Sequence, residues 1–252
     1  MADAADAAAA LAVRAAAAAQ VFVGDPAHPV LGPEDAHHLG RVLRLAPGER
    51  VVAADGAGRW CPCVVAPGPG GRPVLEVDGD VVTEAAPRPR LTVAFAPVKG
   101  DRPEWVVQKL VELGIDRIVP LATERSVVRW EGGRAERAVE RLGRVAAEAA
   151  AQSRRVWLPE LTAVTPLDAL AGVVDPDPVA LAQPGGTTPR LDRPVVAVGP
   201  EGGFSPGELR HAPVTVGLGP TVLRAETAAV AAGVLMAALR AGTVAPGGTA
   251  WT

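Results

Sequence analysis

The residues best equipped for chemistry lie in two stretches near the C-terminus. The first is Gly199-Pro200-Glu201-Gly202-Gly203-Phe204-Ser205, and the second is Leu218-Gly219-Pro220-Thr221-Val222-Leu223-Arg224-Ala225-Glu226-Thr227-Ala228. Glycines let the backbone approach a ligand and present N–H groups that no side chain shields. A phosphate is a poor ligand for the first stretch. No Gly-Lys-Ser/Thr follows it, and the Glu201 carboxylate would repel an anion. One such loop alone reads as a tight turn. Two in succession, each between a strand and a helix, are a far more specific signal.

The elements around these loops would place them at one edge of a sheet. Pro194-Val195-Val196-Ala197-Val198 is a short apolar run of the kind that forms a fully buried strand. Ser205-Pro206-Gly207-Glu208 reads as the start of a helix, with Ser at the cap and Glu at the third position. Residues 214–218 form a second strand, and from Glu226 onward runs a helix apolar all round and so expected to be buried. Pro178-Val179-Ala180-Leu181-Ala182 is a further strand, ended by Gln183-Pro184-Gly185-Gly186 at the same edge. Upstream, Leu91-Thr92-Val93-Ala94-Phe95 is a buried strand. A helix with Pro103 in its first turn follows, stopping at Gly114 with Val106, Leu110 and Leu113 on its inner face. Strand-helix alternation from Leu91 to Leu239 predicts an α/β domain with a mostly parallel sheet covered on both faces. Ligands in such sheets sit beyond the carboxyl ends of the strands.

The first third of the chain has a different character. Residues 1–19 are mostly alanine and lack an amphipathic face, so they read as a disordered or loosely helical extension. Residues 20–85 alternate short apolar runs with Gly/Pro turns, and Asp55-Gly56 and Asp78-Gly79 fall where hairpin turns belong. A small β-barrel is expected there, with one helical segment at residues 37–44 on which Arg41 and Arg44 share a face. Residues 86–90 are the linker, and the second domain spans 91–247.

Composition bounds the function. With 252 residues, 48% of them hydrophobic and 21% charged, the chain suits an ordinary globular protein of one large or two small domains. No apolar run is long enough to cross a membrane, and no signal peptide is visible. Cys61 and Cys63 are one residue apart, which disfavours a mutual disulfide, and two thiols do not make a zinc site. A cytoplasmic location and no metal are the expectations. The net charge of −3 is mildly unfavourable for nucleic acid, but residues 99–155 carry twelve Lys/Arg against nine Asp/Glu. Within them, Arg134, Arg137, Arg141 and Arg144 recur at helical spacing, and Gln152, Arg154 and Arg155 close the same helix. Such a stripe is a solvated face or a phosphate-gripping one.

Taken together, G-P-E-G-G-F-S and L-G-x-x-x-L-R-x-E-T-A resemble the 16S rRNA (uracil-N3)-methyltransferase family of the SPOUT superfamily. Lys99-Gly100-Asp101-Arg102, the Glu124-Arg125-Ser126 turn, Glu148-Ala149-x-x-Gln152-Ser153-x-Arg155 and His37-His38-Leu39-Gly40-Arg41-Val42-Leu43-Arg44 match it too, so the resemblance spans nearly everything after residue 19. It implies a PUA-like RNA-binding barrel and then a SPOUT domain with a C-terminal trefoil knot. It implies S-adenosylmethionine as cofactor, small-subunit rRNA as partner and a homodimer. The cofactor would be held by Leu181, Gly199, Pro200, Glu201, Gly202, Gly203, Leu218, Gly219, Leu223 and Thr227. RNA would be held by Arg41, Arg44, Lys99, Arg102, Lys109, Arg125, Gln152, Arg154 and Arg155. Arg224 at the helix mouth is the candidate for stabilising charge on a uracil carbonyl; its alternative role is a salt bridge with Glu226 or Glu201. No residue stands out as general base. The rival readings are a SPOUT ribose 2′-O-methyltransferase and a non-catalytic RNA-binding protein.

Overall fold

The computed structural model describes residues 2–246 apart from 211 and 213, with side chains from residue 8 onward. The last position of the expected second domain, residue 247, lies outside them. The chain forms two compact units, Met1–Ala86 with Ala150–Leu158, and Pro87–Ala149 with Pro159–Thr252. The expected division into consecutive domains is thus interrupted, because the last three residues of a long helix, Gly132–Gln152, and the six that follow group with the first unit.

In the first unit, strands β1 (Ala19–Phe22), β2 (Arg50–Ala54), β3 (Arg59–Pro67) and β4 (Pro73–Val77) pair in that order, and β5 (Val82–Thr83) pairs with β3. The hydrogen-bonded path is open, so the expected barrel is a five-stranded sheet in its pairing. The Asp55-Gly56 turn joins β2 to β3: the Asp55 carboxylate accepts from the N–H of Ala57 (2.7 Å) and of Arg59 (3.0 Å). Alternation along the strands builds two apolar layers. One contains Val21, Leu39, Val51, Cys61 and Cys63; the other contains Val52, Ala54 and Trp60.

The alanine-rich segment, expected to be disordered or loosely helical, takes the helical alternative. It forms helix α1 (Ala2–Ala16). Arg14, near its end, is buried with its guanidinium 5.5 Å from the centre of the Trp60 ring, and it pairs with Glu84 at 2.7 Å. Trp60 Nε1 donates to the same carboxylate oxygen at 2.7 Å. Periodicity could not reveal this, since alanine gives a helix no apolar stripe to read and one long side chain does the anchoring. The helical segment at 37–44 also differs. Helix α2 (Pro33–His37) continues as a π-turn over His38–Val42, and Arg44 lies beyond it at φ 54°. Arg41 and Arg44 are both exposed but do not share an α-helical face.

In the second unit, strands β6 (Thr92–Phe95), β7 (Arg117–Ala122), β8 (Glu160–Leu161), β9 (Thr165–Pro166), β10 (Val179–Thr187), β11 (Val195–Val198) and β12 (Thr215–Val216) form an all-parallel sheet of order β12-β10-β11-β6-β7-β8, with β9 also on β7. Helix α3 (Arg102–Glu112) connects β6 to β7. It has Pro103 in its first turn and Gly114 at φ 86° just past its end, as the sequence pattern predicts. Helix α4 (Gly132–Gln152) follows β7, α5 (Leu170–Val174) precedes β10, and α6 (Ala225–Arg240) follows β12. Both sheet faces are buried, one by Leu167, Leu170, Val174 and Phe204, the other by α3 and α6.

Helix α6 is not buried all round. Ala225, Ala229, Ala232, Gly233, Met236 and Leu239 form one buried stripe, while Val234 on the opposite side is 45% exposed. At Gly233 a Cβ would stand 2.7 Å from Leu110 Cδ2, so glycine sets the close approach of α6 to α3. The end of α6 is fastened by Arg240, which donates to Asp116, to Gly114 O at 2.6 Å and to Pro89 O at 3.2 Å. Asp116 in turn accepts from the Leu91 N–H at 2.9 Å.

Candidate active site

The carboxyl ends of β10, β11 and β12 and the first turns of α6 enclose a cavity of about 280 Å³. Three loops wall it. From the first come Gly199, Pro200, Glu201, Gly202 and Gly203; from the second, Leu218, Gly219 and Leu223. Of the ten residues expected at the cofactor, those eight line it. Leu181 does not: it is fully buried in the core below. Thr227 is exposed on α6 and not part of the lining, which takes Ala225 and Ala228 from that helix instead.

The loops are shaped by their own residues. In the first, Gly203 N donates to Pro200 O at 2.8 Å, closing a four-residue turn, and the chain leaves that turn at Gly203 with the left-handed φ of 66° that glycine adopts freely. After it, Ser205 and Glu208 make a reciprocal capping box. The Ser205 N–H donates to the Glu208 carboxylate at 2.7 Å, and the Glu208 N–H donates to Ser205 Oγ at 3.1 Å. The capping signal read from the sequence is real, but the helix it opens is only the 3₁₀ turn Glu208–Arg210.

The third loop is a correction of another kind. Gln183-Pro184-Gly185-Gly186 does not end its strand. It bulges out of β10, since Ala182 and Thr187 both pair with Val216 of β12. Gln183 and Pro184 thereby reach the cavity. Gly186 lies flat on the neighbouring strand: a Cβ there would stand 2.5 Å from Val216 C and 2.7 Å from Gly217 N.

The donor set indicates what the cavity can hold. Among the described residues Glu201 is the only charged side chain in its lining, and no Lys or Arg is present there. A phosphate-bearing ligand would find no counter-charge. The apolar walls of Val198, Phe204, Leu218 and Leu223 suit a flat ring, and backbone groups of three loops can read its edge. S-adenosylmethionine, an adenine ligand carrying a cationic sulfonium, fits this set. Among the described residues there is no group of three or more His, Cys, Asp or Glu that could hold a metal ion.

Basic residues expected at RNA divide into three groups. Arg125 braces the first loop: its Nη1 donates to Gly202 O at 2.9 Å and to Phe204 O at 3.3 Å. Arg102 pairs with Glu226 at 3.3 Å, and Lys109 with Glu112 at 2.8 Å. In the first unit, Arg154 caps the end of α1, donating to Ala17 O at 2.8 Å and Ala18 O at 3.1 Å. Burial pushes its pKa down. Lys99, Arg41, Arg44 and Gln152 are exposed, and Arg155 is half-buried with its backbone C=O accepting from Gln20. Arg224 occupies the N-cap position of α6, exposed, between the cavity residues Leu223 and Ala225. Among the described residues it forms no ion pair. Its expected alternative partner Glu226 is taken by Arg102.

Comparison with known proteins agrees with this geometry. A family model described as an RNA methyltransferase domain matches residues 85–237, and one described as an RNA methyltransferase PUA domain matches residues 31–76. A Mycobacterium bovis protein named ribosomal RNA small subunit methyltransferase E is 33% identical over 230 residues, covering 81% of this chain and 83% of its own. The crystal structure of a Neisseria gonorrhoeae protein of that name, bound to S-adenosyl methionine, superposes with a TM-score of 0.73 at 25% identity, covering 88% of this chain and 97% of that one. A Legionella pneumophila methyltransferase structure with bound SAM gives 0.74 at 27% identity, covering 87% and 96%. A parallel sheet with a loop-walled cavity at its carboxyl edge, a PUA-like unit and a family model spanning most of the larger unit converge, and the chain belongs to the RNA methyltransferase family.

Proposed function

We propose that this protein transfers a methyl group from S-adenosylmethionine to N3 of a uridine in small-subunit rRNA, acting as a cytoplasmic homodimer. The observation that carries the reading is the three-loop cavity with Glu201 as the single charge among the described residues that line it. When bound, the cofactor supplies an electrophilic methyl carbon. The chain's part is placement: acceptor and methyl must stand about 3–3.5 Å apart and in line. The turn closed by Gly203, the Gly186 contact and the Arg125 brace hold the loops for that purpose. Uracil N3–H is weakly acidic, so negative charge develops on the flanking carbonyls as the proton leaves. Arg224, at the helix N-cap beside the cavity and without an ion pair among the described residues, is the candidate to meet that charge. N3 lies on the pairing edge, and the target must be unpaired or extruded.

The finer features rest on resemblance and on this placement. A trefoil knot would draw the cavity loops through one another at the edge where β10, β11 and β12 end. A two-fold dimer would cover the apolar side of α6, on which Val234 is 45% exposed. Arg41, Arg44, Lys99 and Gln152 are the exposed polar candidates for RNA contact.

Incubation of the protein with labelled S-adenosylmethionine and deproteinised small-subunit rRNA tests the reading. Transfer is expected, with Arg224→Ala slowing it at least a hundredfold while RNA affinity stays within twofold. Absence of transfer to free rRNA and to small subunits alike would reject it. Light scattering is expected to give twice 25.7 kDa; a fully active monomer would remove the dimer.

A further inference from the structure

A second cavity, of about 230 Å³, lies in the same unit at the carboxyl ends of β6 and β7. Pro97, Leu121 and Val164 give it apolar surface, Thr123 and Ser126 supply hydroxyls, Glu124 and Glu131 carboxylates that can accept from a base N–H, and Arg129 and Trp130 line it from the segment before α4. It adjoins the cofactor cavity through shared structure. The Ala96 N–H donates to Val198 O at 2.9 Å, joining the strand end beside one cavity to the strand end beside the other. The Glu124 N–H donates to Glu208 at 2.8 Å, and Arg125 holds Gly202 and Phe204. The loop that walls the second cavity is thus bonded to the loop that walls the first.

The lining has the chemistry of a nucleobase pocket. Trp130 is half-buried, and its ring borders the space without a hydrogen-bond partner for Nε1 among the described residues. In a chain without tyrosine and with three phenylalanines, an indole bordering a cavity is the scarce resource for stacking a base. Thr123 Oγ1 and Ser126 Oγ stand 2.7 Å apart. One hydroxyl donates to the other, which leaves one O–H and several lone pairs to meet the edge of a base. Arg129, exposed at the rim, can neutralise a phosphate or extend the stack. Among the described residues the lining of the first cavity has neither an indole nor a basic residue.

We infer that this second cavity takes one unstacked base of the RNA substrate, stacked on Trp130 and edge-bonded by Thr123 and Ser126. The inference rests on the RNA methyltransferase reading above. It adds a recognition subsite outside the cofactor loops, and it explains how a single-stranded segment is held beside them.

Two measurements on the full chain test it. A small-subunit rRNA transcript carrying 4-thiouridine is photo-crosslinked to the wild-type protein, and the adducts are mapped by mass spectrometry. Adducts on residues 121–131 are expected, and adducts confined to other segments would overturn the subsite. Separately, RNA and S-adenosylhomocysteine affinities are measured for Trp130→Ala and Trp130→Phe. Loss of one stacked base weakens RNA binding about tenfold in the alanine variant. The phenylalanine variant recovers most of it, and cofactor affinity is unchanged in both. Wild-type RNA binding with no loss in Trp130→Ala would discard the pocket and leave the methyltransferase reading intact. No RNA binding by the wild type would discard both.

Discussion

Arg125 is where sequence and structure assign different work to the same residue, and its removal separates the two. In the structure its Nη1 bridges the carbonyls of Gly202 and Phe204, at 2.9 and 3.3 Å. These carbonyls flank the left-handed turn at Gly203 that gives the first cavity loop its form. A hydrogen bond from a charged donor is worth roughly 1.5–3 kcal/mol when shielded. Arg125 is exposed, and freed carbonyls there can turn to water, so the net loss should be about 1 kcal/mol. If the whole of that appears as loop disorder, cofactor affinity falls about fivefold in Arg125→Ala. Calorimetry with S-adenosylhomocysteine reads this directly. RNA affinity measured across a salt series reads the other role, since a lost phosphate contact lowers the salt slope by about one unit. Cofactor affinity within twofold of wild type, with a slope lowered by one, would refute the brace and restore Arg125 to the RNA contacts.

Three further outcomes follow from geometry. Gly186→Ala puts a Cβ against the backbone of Val216 and Gly217, so β10 and β12 must part; we expect a stability loss of about 2 kcal/mol or more and a loss of cofactor binding, checked by denaturation and calorimetry. Arg240→Ala leaves the Asp116 carboxylate buried without its cation and should cost about 3 kcal/mol, read by thermal unfolding; a loss below about 1 kcal/mol would show the cluster to be solvent-relaxed. Burial alone would raise the pKa of Glu160, but hydrogen bonds and charge from Arg117 and Arg90 outweigh it and hold the carboxyl below 4.5. Its stabilising share is therefore present above about pH 4.5 and lost as pH falls through the lower folded value, and Glu160→Gln should flatten that acid limb of the stability curve.

What could be read from the sequence was whatever local pattern specifies. The buried strands at residues 91–95 and 195–198, the stop at Gly114 and the Ser205–Glu208 capping box each follow from a few neighbouring side chains. Eight of the ten positions expected at the cofactor line the cavity because glycine loops advertise close backbone approach. Leu181 failed because an apolar residue at a strand end looks the same whether it faces a ligand or the core. The bulge at Gly186 was hidden because Pro-Gly-Gly reads as a strand end, and only the partner strand shows that pairing resumes at Thr187. Arg154 and Arg125 were read as phosphate contacts because an arginine's partner, when it is a backbone carbonyl 77 to 137 positions away, leaves no trace in spacing. The anchoring of α1 by Arg14 is hidden for the same reason. The Trp130 cavity was missed because its walls come from three separate segments joined only by the sheet.

The central claim is tested most directly by the product. Small-subunit rRNA lacking its methyl groups is treated with the wild-type protein and S-adenosylmethionine, digested to nucleosides, and compared with 3-methyluridine and 2′-O-methyluridine standards by mass spectrometry and chromatography. The expected product is 3-methyluridine at a single position, formed at least a hundredfold more slowly by Arg224→Ala. A 2′-O-methylated nucleoside, or a cofactor-binding protein that leaves every nucleoside unmethylated in free rRNA and in small subunits, would contradict it.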